Sequence, residues 1–209
     1  MKSIRFLITL SVILPLVLIT GCGIISNGKT NKISESSFSY EEIDLITEKN
    51  IGDPFRVLKT DNKTDSLILR SKSSDVNPLR DRKTIEILTK RMYSTVTDSA
   101  SLGVGIAAPQ IGILKNVILV QRFDKDGSPF EIYLNPVIIQ HSNMKQDCRE
   151  GCLSVPETRG TTKTRAYAIL LKYQKPDNST VMEMVEGFTA VIFQHEIDHL
   201  NGALFFDYL

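Results

Sequence analysis

The stretch Phe193-Gln194-His195-Glu196-Ile197-Asp198-His199-Leu200 constrains this chain more than any other. Phe188, Val191, Ile192, His195 and His199 recur at helical spacing, and Asn201-Gly202 supplies a stop signal, so one helix is predicted. Ala190, Phe193, Ile197 and Leu200 cover much of the remaining circumference, which predicts burial nearly all round. His195 and His199 are four residues apart, so their rings project one turn above the other, with Glu196 beside the first. This is the H-E-x-x-H arrangement: two imidazoles for a divalent metal and a carboxylate to move the protons of a metal-bound water. The pattern also recurs by chance. Two features weigh for metal: the chain has 3 histidines, two of them here, and an apolar helix carries unpaired polar groups only at a cost.

A catalytic site of this kind needs a third protein ligand and an open position. Downstream of His199 the sole candidate is Asp207, so the search turns upstream. Cys152, in Glu150-Gly151-Cys152-Leu153-Ser154, is the natural third ligand, because a thiolate is a good donor to zinc or ferrous iron. Cys148 lies four residues before it, and in an exported protein the two could instead pair. Metal binding is expected to win, leaving Cys148 free.

The N-terminus sets the compartment. Lys2 and Arg5 flank an apolar run, Phe6 to Leu18, that ends in Ile19-Thr20-Gly21-Cys22. A basic start, an apolar core and a small residue describe a secretory signal. The run is short for a permanent membrane span. The tripeptide before Cys22 resembles the lipobox of bacterial lipoproteins. That resemblance implies that residues 1–21 are removed and Cys22 is lipidated, holding the protein in the cell envelope on a bacterial membrane after export. Residues 22–50, rich in Ser, Asn, Lys and Glu, read as a polar tether. Residues 51–209 are left as the domain. The net charge of +1, with no basic block and no aromatic-basic interleaving, gives no support to a nucleic-acid partner.

Within the domain, Leu67 to Arg70 reads as a short strand or ordered arm. Thr84 to Val96 carries the period of an amphipathic helix, with Asp81 as its candidate cap. Gly103-Val104-Gly105-Ile106-Ala107-Ala108 superficially matches a dinucleotide loop. A helix precedes it rather than a strand and Pro109 follows at once, which rejects that reading. Val117 to Val120 reads as a strand. Ile132 to Leu134 and Val137 to Ile139 read as two short strands broken by Asn135-Pro136. Arg165 to Tyr173 and Thr180 to Val185 flank a hairpin turn at Lys175 to Ser179. The sum is an α+β fold, with antiparallel sheets packed around a buried C-terminal helix that carries the metal motif.

Three separated motifs resemble those of peptide deformylases, in the family's order: Gly103 to Gln110, Glu150 to Ser154, and Gln194 to Leu200. The resemblance covers residues 51–209 and implies removal of the N-formyl group from formyl-methionyl peptides with Fe²⁺, or Zn²⁺, as the divalent metal. It implies Cys152, His195 and His199 as ligands and Glu196 as general base, then acid. It implies the Gln110 side chain and the Leu153 backbone N–H as oxyanion donors. Val104 and Gly105 are implied to line the peptide groove. Phe188, Val191 and Ile192 share the ligand face of the helix and could wall a methionine pocket, although each also suits plain core packing. Glu150 and Asp198 are candidates to orient the ligands, and His141 is expected at the surface. Glu157 departs from the pattern, standing where many relatives have glycine. Two rival readings stay open: a lipid-anchored metallo-amidase or peptidase acting on another small amide, and a surface lipoprotein that binds peptides without catalysis.

Overall fold

The structure is a computed structural model that describes residues 36–99 and 102–209. The signal segment, Cys22 and the first part of the expected tether lie outside the described residues. The chain runs through α1 (Tyr40–Thr47), α2 (Lys63–Leu69), α3 (Arg82–Thr97), β1 (Gly105–Ala107), β2 (Val117–Gln121), β3 (Phe130–His141), β4 (Lys145–Cys152), β5 (Val155–Ala166), β6 (Ala168–Gln174), β7 (Thr180–Glu186) and α4 (Gly187–Leu200). Five strands form one antiparallel sheet in the order β1-β2-β3-β6-β7, and β4 and β5 form a separate hairpin.

Strand β2 shows how the layers are built. Its Val117 and Leu119 join an apolar cluster with Ile46, Leu88 and Met92 of α1 and α3. Its Ile118 and Val120 join a second cluster with Ala190, Ile192 and Phe193 of α4. Alternate side chains of a strand point to opposite faces, so the sheet has helices on both sides. Helix α4 follows β7 directly through Gly187, whose φ of +61° lies in the left-handed region that glycine enters without a steric penalty. The expected α+β architecture around a buried C-terminal helix is what the chain adopts.

Several local expectations are overturned. The tether was expected to reach Asn50, yet α1 begins at Tyr40 and buries Ile46 completely. A capping box between Ser39 and Glu42 starts this helix. The fully buried Arg91 of α3 ends it, donating from Nη1 to the carbonyls of Leu45 and Ile46 at 2.9 and 2.8 Å. Leu67 to Leu69 belongs to a helix rather than a strand, because Asn62 caps it by accepting from the Asp65 N–H at 3.1 Å. Asp81 sits at the α3 N-cap but makes no side-chain cap bond. Its carboxylate accepts instead from Ser36 and Asn77. Asn135-Pro136 does not break β3. The strand runs through with a register shift there, and Asn135 takes a φ of +50°. Arg165 to Tyr173 is not one strand: Arg165 and Ala166 end β5, which pairs along β4, and the hairpin strand β6 begins at Ala168.

Candidate active site

Strand β4 ends at Cys152, which pairs with Val155, so Leu153-Ser154 is a two-residue hairpin loop. The loop turns the thiol back toward α4. Cys152 Sγ lies 3.2 Å from His199 Nε2, and ligand atoms of Cys152, His195 and His199 all fall within 4.8 Å of one another. The other face of the His195 ring is fixed, since Nδ1 lies 2.8 Å from Glu150 Oε2. Its Nε2 is thereby left for the cluster, as in a carboxylate–histidine–metal relay. A soft sulfur and two imidazoles suit zinc or ferrous iron, so the residues present fit a divalent ion. Cys148 and Cys152 are both free thiols. Along an extended strand, positions 148 and 152 stand roughly 13 Å apart, about twice the reach of a disulfide.

Electrostatics favour the same reading. Burial opposes ionisation of the Cys152 thiol, but His199 and His195 beside it pull its pKa well below the ordinary value. Burial also opposes the Glu150 carboxylate, yet His195, Arg165 and Thr162 hold its pKa down at about 2. Arg165 reaches Glu150 at 2.8 Å and Asp198 at 2.6 Å. Glu150 therefore orients an imidazole as expected, whereas Asp198 acts at one remove, by holding Arg165. Glu196 is the odd group. It is 4% exposed, its Oε2 has no hydrogen-bond partner, and burial raises its pKa to about 7 against the pull of His195 and His199.

The opposite wall comes from the β1 region. Gln110 is buried and its Oε1 accepts from the Ala107 N–H at 2.8 Å. That bond turns Nε2 into the site, 3.5 Å from Cys152 Sγ and 3.3 Å from Ser154 Oγ. Gly105 is required by close approach, since a Cβ there would collide with Glu196 Oε1 and lie 2.9 Å from Ile192. A groove of about 510 Å³ runs over these groups. Val104, Gly105, Leu153, Phe188, Val191 and Ile192 all line it, together with Gln110, Cys152, His195 and Glu196. Val191 and Ile192 form its buried apolar wall, and half-exposed Phe188 stands at the rim against Phe123. His141 is at the surface as expected.

Glu157 has a φ of +56°, so its backbone takes the conformation that glycine favours even though the residue is not glycine. Sequence reasoning missed three residues. Arg165 and Thr162 hold Glu150, and Lys59 donates to the Leu153 carbonyl at 2.5 Å, pinning the loop after Cys152. Arg165 stands in a polar run with no motif around it, and only the unpaired charge of a buried Glu150 would have called for such a partner.

The comparisons with known proteins agree. The family model described as polypeptide deformylase matches residues 55–209. The chain is 41% identical over 140 residues to the peptide deformylase of Desulforudis audaxviator, covering 67% of this chain and 86% of that one. It is 35% identical over 173 residues to peptide deformylase 2 of Bacillus anthracis, covering 79% and 91%. The Met-Ala-Ser-bound class I type b peptide deformylase of Acinetobacter baumannii superposes with a TM-score of 0.63 at 34% identity, covering 76% of this chain and 99% of that one. The actinonin-bound form of the same enzyme superposes with a TM-score of 0.64 at 35% identity, covering 75% and 99%.

Proposed function

The chain belongs to the polypeptide deformylase family, metal-dependent hydrolases of formyl-methionyl peptides, and from that premise we propose which residues carry the reaction and where it takes place. Cys152, His195 and His199 hold one divalent ion, Fe²⁺ or Zn²⁺. When bound, that ion supplies Lewis acidity, acidifying water and polarising a carbonyl oxygen. Glu196 takes the proton of the attacking water and delivers it to the leaving amine. A carboxyl with a pKa raised by burial to about 7 is poised to do both near neutral pH. Gln110 donates from Nε2 to the formyl oxygen as it gathers charge, and the Leu153 N–H is the second donor. Val104, Phe188, Val191 and Ile192 enclose the methionine side chain, with Gly105 admitting the peptide backbone beside Glu196. Glu150 and Arg165 keep the His195 ring in place.

The observation that carries this reading is a cluster of three ligand atoms with the Gln110 amide 3.5 Å from one of them and an unpartnered Glu196 oxygen, Glu196 lining the same groove. A binding module has no use for the carboxylate. The place is the cell envelope, through lipid on Cys22, where formylated peptides arrive by export or from outside. Release of formate from formyl-Met-Ala-Ser by the full chain loaded with Fe²⁺ or Zn²⁺ is the expected result. Absence of formate with both metals, with metal bound, would overturn it. Release of free amino acids from unformylated peptides would favour a peptidase instead.

A further inference from the structure

The five-stranded sheet is not covered evenly. On the face away from α4, helices α1 and α3 pack over Val117, Leu119 and Leu134. That layer stops where β3 passes Asn135. Beyond it, outward side chains form two cross-strand rows, Val137–Lys172–Met182 and Gln140–Leu170–Met184, with Ile139 in the bulge between them. Val137, Ile139, Met182 and Met184 are 53%, 50%, 56% and 59% exposed. Single exposed apolar residues are ordinary, but a contiguous group on a sheet face that no other described element covers marks a contact surface. β7 is also an edge strand of the sheet.

The chain enters the domain at the border of this face. Ser36 donates to Asp81 at 3.0 Å, and Ser37 Oγ accepts from the Asn77 N–H at 3.1 Å. The neighbouring Val76 N–H donates to Asn135 at 2.9 Å, and Asn135 in turn reaches Gln174 at the end of β6. Between Cys22 and Ser36 stand 13 residues. At full extension they span about 45 Å. A lipid on Cys22 therefore keeps this border within that distance of the bilayer.

We propose that the bare face of β3, β6 and β7, centred on Met182 and Met184, rests on the lipid surface that carries the Cys22 anchor. Lys172 lies along the apolar rows and reaches lipid phosphates from among them, as long cationic side chains do at membrane surfaces. A second copy of this chain is the rival occupant, which protection without vesicles would reveal. Resting on this face turns α4 and the groove away from the lipid. The proposal uses the envelope reading of Cys22, and the test keeps the two apart.

The full, processed chain is placed in vesicles of phosphatidylethanolamine and phosphatidylglycerol, and its mass reports whether Cys22 is lipidated. Hydroxyl-radical labelling then compares it with the Cys22→Ser chain in solution. We expect Met182 and Met184 to be protected roughly fivefold or more, as for an apolar face seated among headgroups, while Phe188 at the groove keeps its solution rate. The pair Met182→Glu and Met184→Glu, both surface changes, should return Val137 and Ile139 to their solution rates with the lipid still attached. Equal labelling of the lipidated, vesicle-bound chain and the free chain overturns the proposal. So does protection that persists without vesicles and grows with protein concentration, which would mark self-association. If the mass shows no lipid, the envelope reading fails, and flotation of the unlipidated chain with vesicles decides the face. Flotation lost on Met182→Glu and Met184→Glu supports it, and no flotation overturns it.

Discussion

Two polar clusters lie on the α4 side of the sheet, and they are built differently. Around Arg122, Asp124 and Glu183 accept at 2.6–2.9 Å and the Tyr133 hydroxyl lies at 2.6 Å, with Glu131 closing the ring. Every donor there meets an acceptor. Around Cys152, by contrast, Glu196 Oε2 and His199 Nδ1 have no partner, although both are buried beside three clustered ligand atoms. Buried polar groups are normally satisfied. A cluster that completes itself belongs to the fold, and one that stays incomplete is made for something that binds.

That contrast can be broken in order of expected effect. Cys152→Ala should abolish both ion binding and formate release, read by metal analysis and a formate assay, while leaving the thermal unfolding of the metal-free protein unchanged. Arg122→Leu should do the reverse. Its acidic partners are a quarter to a third exposed, so stranding them costs about 1–2 kcal/mol after solvent screening. In a protein of this size that lowers the melting temperature by roughly 5 °C. Turnover per folded molecule should stay near the parent value. Gln110→Ala should reduce kcat by about 100-fold with little change in KM, because its amide acts on charge that develops in the transition state.

The smallest effect sits outside both clusters. Arg56 and the Lys59 N–H hold the Asp65 carboxyl down at about 2, below its ordinary value of 3.8. A depressed carboxyl contributes stability above its unfolded pKa and loses it as pH falls through the folded one. Stability should therefore fall between about pH 4 and pH 2, and Asp65→Asn should flatten that part of a denaturation profile taken against pH.

The two clusters also differ in how legible they were. The metal cluster was readable because its chemistry is compressed into short motifs: His195 and His199 one turn apart, Cys152 in a glycine-led segment, Gln110 after Pro109. The Arg122 cluster gathers residues up to 61 positions apart and has no local signature. The same holds for the fold. Helix α4 and the β6–β7 hairpin announce themselves by period and turn residues. Helix α1 did not, since the serines before it and its own acidic residues resemble a tether and its anchor, Arg91, arrives from 45 residues away. α2 was misread because a three-residue apolar run suits strand and helix alike, and the Asn62 cap was the signal that separated them. Arg165 escaped for the reason Arg91 did: its role exists only after the chain has folded.

The most direct measurement is formate release by Glu196→Gln in parallel with its metal content and melting curve. An incomplete cluster built for catalysis predicts one ion per chain, a melting temperature at or slightly above the parent's, and a rate lower by at least about 100-fold, the loss of a general base. A variant that keeps the parent rate, or one that loses its fold, would contradict the account, because Glu196 would then be serving the structure as Arg122 does.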